Sequence, residues 1–420
     1  MPTKSSTTQK IWDIVVIGGG PAGMMSAGRA GERGRSVLLL EKNPTLGVKL
    51  LITGGGRCNV TNNLSDVRVL TSKYKGNSTF LFSAFSQCAI DETLGFFHMR
   101  GMATKVEAEG RIFPVSDSAK SVYDVMVGYI REHDVNVQTS AHVSDITIDE
   151  TTGDFVINLK GADCVRAKSC IVATGGTSHP ETGSTGEGFK WLKKLGHTIN
   201  TPDPSLVPIA LKDTWVKRLS GISLDDIKLT IYCDGVKQKA HKGKILFTHV
   251  GISGPTVLNM SKQVGEMMRN GTLVIYLDLF PARDHGALKK ELQILLLEGS
   301  NKRLKTVLAT LIPTALVTEV LALAKIDGET PSHSVRKEDR TALITLLKAI
   351  PLHVQGLLGV DKAIVSSGGI VPSEVNFKTL ESRIVPRLYL VGDVLDIDRP
   401  SGGYSLQLCW TTGFVAGESV

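Results

Sequence analysis

Residues 13 to 17, DIVVI, form a β-branched apolar run with no polar alternation. That is the pattern of a strand buried on both faces. GGGPAG follows and opens a helical pattern through about Gly31, after which Ser36 to Leu40 predicts a second buried strand ending at Glu41. Asp117 or Ser118 caps a predicted helix running towards His133, and Val143–Ile148 and Phe155–Leu159 flank Thr152-Gly153 as a hairpin. The runs CIVATGG (170 to 176) and LYLVG (388 to 392) read as further buried strands, and Leu406 to Ala416 as the last helix. Between them the texture changes twice. Val207–Leu211, Ile227–Cys233, Lys244–Thr248 and Thr272–Leu279 predict strands, whereas residues from about Ala287 to Ile350 have apolar positions at helical spacing. The chain is therefore predicted to be α/β, with a mixed insertion.

The first strand–helix–strand unit carries chemistry. Gly18, Gly20 and Gly23 stand in the G-x-G-x-x-G spacing, with Pro21 and Ala22 between the last two. The first glycine makes the turn, the second lets backbone approach a pyrophosphate, and the third lets helix and strand pack closely. The helix N-terminus supplies unpaired N–H groups to the phosphates. Glu41 ends the second strand where a carboxylate accepts from a ribose, with Lys42 beside it. One dinucleotide site is predicted, since no second such triplet followed by an acid occurs.

Composition narrows the setting. At 420 residues the chain predicts two or three domains, and 42% hydrophobic with 21% charged residues is ordinary for a globular protein. The polar start, MPTKSSTTQK, predicts a cytoplasmic protein, and the apolar stretch from Thr306 to Ala324 contains Pro313 and Glu319, which argues against a membrane span. Six scattered cysteines without a C-x-x-C pair predict neither a metal site nor a disulfide framework. The net charge of +7 sits mostly in residues 199 to 355, where 21 lysines and arginines face 15 aspartates and glutamates. Such a bias suits either a solvated surface or a polyanionic partner.

The runs at 170 to 176 and 388 to 393 resemble elements of glutathione-reductase-like flavoproteins. Ala173-Thr174-Gly175-Gly176 would close over the dinucleotide, and Gly392-Asp393 would hold the ribityl and pyrophosphate side of FAD. Five longer motifs then agree in order: TGGGRCNVTN, GRIFPVSDSA, ATGGTSHPETGSTGEG, LFTHVGISGP and GDVLDIDRPSGGYSLQ. Together they resemble the bacterial three-domain flavoproteins of the BaiN/RdsA type, which are NAD(P)/FAD-dependent oxidoreductases. The resemblance implies a Rossmann-like FAD-binding domain (1 to 198 and 356 to 420) interrupted by a β-barrel-like domain (199 to 282) and a small helical domain (283 to 355).

It also implies where the cofactor runs. KLLITGGGRCNVTN follows Glu41 closely and is predicted to be a flavin-contact loop, with Lys49, Thr53, Gly55, Gly56, Arg57 and Asn59 as contacts and Cys58 as a small packed neighbour. Val143 joins the expected contacts. Gly402, Gly403, Tyr404 and Ser405 would present a helix N-terminus to the flavin edge, where it would stabilise negative charge on the reduced ring. Asp393, Arg399, Pro400, Ser401 and Ser405 depart from the family's commoner form, which places the substrate in doubt more than the cofactor. His249 and Ser253, on a loop-like turn, and Tyr404 are the candidates for handling a proton; His179 and Arg111 read as structural.

The predicted activity is an FAD-dependent reductase of an activated C=C bond or ring, with NAD(P)H as transient reductant. The resemblance implies substrates as different as a uridine of large-subunit ribosomal RNA, steroid-like enones and small aminoketones, and the basic middle favours RNA. The competing readings are a small-molecule flavin oxidase or reductase, and a flavin-bound RNA-binding protein without turnover.

Overall fold

The computed structural model describes residues 10–74, 78–161, 164–358 and 365–420, so the polar run at 1–9 lies outside the described residues. The chain divides into two compact units, one combining residues 1–205 with 363–420, the other spanning 206–362.

The first unit begins with β1 (Ile11–Ile17), α1 (Pro21–Glu32) and β2 (Val37–Leu40). The apolar run after Glu41 is helical, forming α2 (Val48–Ile52), and leads to the short β3 (Thr61–Asn62). Three helices follow, α3 (Val67–Ser72), α4 (Ser78–Phe85) and α5 (Ile90–Met99), then β4 (Thr104–Val106) and β5 (Arg111–Pro114). Ser118 caps α6 (Ala119–Glu132), its hydroxyl accepting from the Lys120 N–H. Then come β6 (Asn136–Gln138), the hairpin β7 (Val143–Ile148) and β8 (Phe155–Leu159), β9 (Val165–Val172), α7 (Glu187–Lys194) and β10 (Ile199–Ser205).

The second unit contains β11 (Ile209–Leu211), β12 (Ser223–Cys233), β13 (Val236–Phe247), β14 (Gly251–Ser253), α8 (Pro255–Met268) and β15 (Leu273–Asp278). Helices α9 (His285–Glu298), α10 (Leu304–Leu308), α11 (Thr314–Ala324) and α12 (Lys337–Lys348) precede its last strand, β16 (Ile350–Leu357). The chain then returns to the first unit with β17 (Val365–Ile370), β18 (Val375–Asn376), β19 (Glu381–Ser382), β20 (Leu388–Leu390) and α13 (Tyr404–Ser419).

The main sheet runs β18-β19-β20-β9-β1-β2-β6, with the β7–β8 hairpin attached to β9. The five strands β20, β9, β1, β2 and β6 are parallel, and β1 is flanked by β2 and β9. This is the doubly wound order in which ligands bind outside the carboxyl ends of the strands, where the winding reverses. Helices α1 and α13 cross with backbones in close approach: a Cβ on Gly413 would stand 2.5 Å from the Ala22 carbonyl oxygen, and one on Gly417 2.6 Å from that of Ser26. Glycine at those two positions is what lets α13 cover the fingerprint helix.

In the second unit six strands close a barrel in the order β11-β14-β13-β12-β15-β16. Leu229, Ile231, Ile245, Phe247 and Ile275 fill it, and Met260 and Val264 of α8 pack into the same core. The fold is thus a Rossmann-type FAD-binding domain interrupted by a barrel and a helical segment, as the motifs imply. β13 differs from the sequence reading, starting at Val236 rather than near Lys244. Its first half, VKQKAHKG, has no apolar alternation because it is solvent-facing, so periodicity is blind to it.

Candidate functional site

The site begins at the carboxyl ends of β1 and β9. Gly18 adopts φ 107°, and a Cβ there would stand 2.5 Å from the Ala173 carbonyl oxygen, so the turn is open only to glycine. A Cβ on Gly23 would approach the Gly18 carbonyl oxygen to 1.8 Å, which enforces close helix–strand packing. Gly20 is different. Its φ of −79° suits any residue, and a Cβ there would meet nothing within 4 Å. The space beside Gly20 is room that the close approach of a pyrophosphate requires.

Glu41 is held by two backbone donors. One carboxylate oxygen accepts from the Gly19 N–H at 2.7 Å and the other from the Asn43 N–H at 2.8 Å. The side chain, buried at the end of β2, ties the glycine turn to the next loop. Each oxygen keeps a lone pair for a sugar hydroxyl.

From these residues a cleft of about 1220 Å³, measured with its solvent-open mouth, runs within the first unit to the start of α13. Gly20, Glu41, Thr174, Asp393 and Ser405 mark its course. Gly18, Pro21, Ala22, Lys42, Lys49, Thr53, Val143, Ala173, Gly175 and Gly392 also line it. Two helix N-termini open into it. Neither α1, through Pro21 and Ala22, nor α13, through Ser405 and Leu406, has a side chain capping its first turn. Both ends therefore offer N–H groups and positive dipole ends to negative charge.

Charged groups gather where α13 begins. Lys49 donates from Nζ to Ser178 Oγ at 3.1 Å. Burial holds its pKa below the ordinary lysine value, with Asp393 pulling in the opposite direction. Arg399 is almost completely buried and pairs with Asp393. It also donates to Ser405 Oγ at 3.0 Å and to the Ile397 carbonyl at 2.7 Å. Asp393, Arg399 and Ser405 thus make one connected group. A strap crosses nearby: Lys42 Nζ donates to Thr185 Oγ1 at 2.9 Å and pairs with Glu187 at 3.0 Å, and Asn43 Nδ2 donates to the Thr182 carbonyl at 2.9 Å.

Other expected site residues lie elsewhere. Gly55 and Gly56, in a left-handed turn after α2, and Arg57 do not line the cleft. Arg57 stacks on Phe113 with 4.2 Å to the ring centroid and pairs with Glu107 and Asp117. Cys58 is fully buried at φ 60°, and burial pushes its thiol up to about 12. Asn59 and Gly176 also stand outside the walls of the cleft.

The end of the same loop reaches the C-terminal motif. A Cβ on Gly403 would stand 2.4 Å from the Thr61 backbone, Asn62 Nδ2 donates to the Gly402 carbonyl at 3.1 Å, and Thr61 Oγ1 donates to Gln407 at 2.6 Å. Gly402 and Gly403 therefore shape the start of α13 without lining the cleft. Tyr404 is buried, its ring 6.2 Å from that of Tyr74, whose hydroxyl donates to the Tyr404 carbonyl at 2.9 Å.

His249, exposed, and Ser253, half-buried, belong to the β13–β14 turn and β14 of the second unit. His179 pairs with Glu181 at 2.8 Å, and Arg111 stands 3.6 Å from Glu109. Sequence reasoning missed Asn43, Ser184, Thr185, Glu187, Trp191 and Cys409 among the lining residues. The glycine-rich run ETGSTGEG is the signal that could have found Ser184, Thr185 and Glu187.

A doubly wound sheet with this fingerprint, and a second strand end and helix start completing a long cleft, defines a Rossmann-type dinucleotide-binding protein. Comparison with known proteins carries this further. The family model described as the HI0933-like protein Rossmann domain matches residues 12–419, and the chain belongs to that family. It is 30% identical over 410 residues to a 3-dehydro-bile acid delta(4,6)-reductase of Clostridium scindens, covering 97% of this chain and 98% of the relative. It is 30% identical over 414 residues to a ribosomal RNA dihydrouridine synthase of Escherichia coli, with the same coverage. Among solved structures, 3-ketosteroid-delta4-(5alpha)-dehydrogenase from Rhodococcus jostii RHA1 superposes with a TM-score of 0.54 at 14% identity, covering 100% of this chain and 99% of that one. That last likeness is one of fold. Among the described residues no helix is long and apolar enough to cross a membrane.

Proposed function

We propose that this protein is a cytoplasmic, NAD(P)H-dependent reductase that binds one FAD in the cleft of its first unit and saturates an activated C=C bond, with a uridine of ribosomal RNA as its substrate. The observation that carries the reading is the course of the cleft, from Gly20 and Glu41 to Asp393 and Ser405. Bound FAD supplies hydride transfer at its N5. The chain's own residues supply the rest.

Gly18, Gly20, Pro21 and Ala22 leave room and N–H groups for the pyrophosphate, Gly23 lets the helix pack close enough to present them, and Glu41 accepts from the adenosine ribose. Val143, Ala173, Thr174 and Gly175 wall the cleft, while the Lys42–Glu187 pair closes the strap over it. Asp393 accepts from the ribityl side, and Arg399 holds that carboxylate in place. Lys49 and the uncapped start of α13 favour negative charge at the far end. Across the reduced bond one hydride and one proton are added, and NAD(P)H with a solvent proton restores the balance. Among the three residues proposed to handle that proton, Tyr404 is packed and Ser253 half-buried, while His249 has an exposed ring. The proton donor is proposed among these three, so that replacing the donor lowers turnover by about 10²-fold with flavin content unchanged.

Mass spectrometry of ribosomal RNA from a deletion strain tests the substrate. A loss of dihydrouridine is expected, and an unchanged content overturns the RNA assignment. The equal identity to a bile acid reductase supports a second reading, in which the substrate is a small enone. NAD(P)H consumption with a 3-keto-4-ene steroid in the absence of RNA would favour it.

A further inference from the structure

The outer face of the barrel carries a feature that the cleft does not use. Strand β13 has four lysines, at 237, 239, 242 and 244, and no acidic residue. Lys244 pairs with Asp225 at 3.0 Å. Lys237, Lys239 and Lys242 are exposed, and none has an ion pair among the described residues. The neighbouring acids are engaged or set apart. Asp278 pairs with Lys348 at 2.9 Å and Lys228 at 3.4 Å, and Asp234 accepts from the Thr272 N–H. Asp226 alone is exposed without such a tie, at the bulge of β12.

The register places aromatic rings among these cations. Lys237 lies across from Tyr232, and Lys242 across from Lys228. On the other side of β12, Thr230 lies across from Tyr276 and Tyr232 across from Val274. Leu229, Ile231, Ile275 and Leu277 point into the core, so by strand alternation the tyrosines, Lys228 and Lys242 share the outward face. Tyr232 and Tyr276 are half-buried and meet edge to face with ring centroids 5.0 Å apart. His353 of β16 stands exposed across from Val274.

We propose that this outer face of β12, β13 and β15 is a docking surface for single-stranded RNA, with Lys237, Lys239 and Lys242 on the phosphates and Tyr232 and Tyr276 stacking on bases. The assignment rests on the ribosomal RNA reading above and names the surface of this chain that would hold that substrate. Charge selects a polyanion, and the tyrosine pair selects among polyanions: an acidic peptide or an anionic lipid surface has no flat base to stack on. Lys237 and Lys242 on the outward face, with the exposed Lys239 at the bulge between them, offer cations to successive phosphates of an unpaired strand, whose bases stay available to the sheet face.

The test is fluorescence anisotropy of a labelled oligouridine titrated with the FAD-loaded enzyme at several salt concentrations. Replacing Lys237, Lys239 and Lys242 by Gln is expected to weaken binding about tenfold or more and to lower the salt slope by about 2. Tyr232→Ala is expected to weaken it about tenfold, while Tyr232→Phe, which keeps the ring, retains the affinity. Flavin content and anaerobic reducibility of the lysine variant stay at the wild-type level, since those residues lie outside the cleft. Unchanged affinity and slope in the lysine variant overturn the proposal. So does binding of polyglutamate as tight as that of RNA with no effect of Tyr232→Ala. Failure of the surface differs from failure of the substrate reading. Full restoration of dihydrouridine in a deletion strain by the lysine variant condemns the surface alone, whereas a deletion strain with normal dihydrouridine condemns the substrate reading.

Discussion

Arg399, itself buried, binds the half-buried Asp393 and Ser405 into one group at the head of the last helix, donating to a carboxylate on one side and to a hydroxyl on the other. A carboxylate and a guanidinium buried side by side are tolerable only as a pair, because removing one partner strands the other's charge. Arg399→Met is therefore expected to cost about 3 kcal/mol, read as a lower denaturant midpoint at constant m-value. The double variant Arg399→Met/Asp393→Leu should recover at least half of that loss. Equal destabilisation by single and double variants would show that the pair is not the stabilising unit.

Gly20 and Gly23 separate cofactor binding from folding. A Cβ on Gly23 collides with the Gly18 carbonyl, whereas one on Gly20 meets only open space. Gly23→Ala should therefore give insoluble or strongly destabilised protein. Gly20→Ala should unfold in its cofactor-free form within about 0.5 kcal/mol of wild type and yet purify without flavin. A Gly20→Ala protein with full flavin content would refute the placement of the pyrophosphate.

Glu41 is expected to act on the cofactor partly through the backbone. Its two oxygens hold the Gly19 and Asn43 N–H groups. In Glu41→Gln the amide nitrogen faces one of those donors, so the glycine turn loosens and a ribose acceptor is lost. FAD affinity should drop on the order of tenfold, or about 1.4 kcal/mol, in calorimetric titration of the cofactor-free protein. An unchanged dissociation constant would mean that neither role matters.

The cysteines make a pH prediction. Burial pushes the thiols of Cys58, Cys88, Cys170 and Cys409 up from 9.0 to about 12. The unfolded chain ionises these groups near 9, so it sheds protons that the folded chain keeps. Stability should then be constant in this respect below pH 9 and fall as the pH rises from 9 towards 12. At pH 8 a thiol-reactive disulfide should label at most Cys164 and Cys233, the two half-buried cysteines, in the native protein and all six under denaturation. Rapid native labelling of Cys58 would contradict its packed position.

The limits of reading the sequence follow from which signals are local. The fingerprint strand, the glycine triplet, Glu41 and the α6 cap were all legible, because steric demand and hydrophobic period act over a few residues. The Glu41–Gly19 contact was hidden, since nothing in the residue type says that a ribose acid also shapes the turn. Arg57 was misleading in a different way: a cation beside glycines suggests an anion site, but Glu107 and Asp117, distant in sequence, already engage it. The first half of β13 was missed because both its polar face and its lysines mimic a loop, although cross-strand pairing with β12 fixes it as strand. Leu50 to Ile52, read as part of a flavin-contact loop, belong to helix α2, whose buried Leu50 contributes to the Rossmann core.

The central claim is that the cleft holds an FAD that takes electrons from a nicotinamide and passes them to an unsaturated ring or enone. Anaerobic titration of the purified, flavin-loaded protein with NADH and with NADPH tests it most directly, followed by addition of ribosomal RNA fragments or of a steroid enone. The account predicts bleaching of the flavin absorbance by at least one of the two and its recovery on adding an acceptor. A flavin that neither nucleotide bleaches, or a reduced flavin that neither acceptor reoxidises, would contradict it.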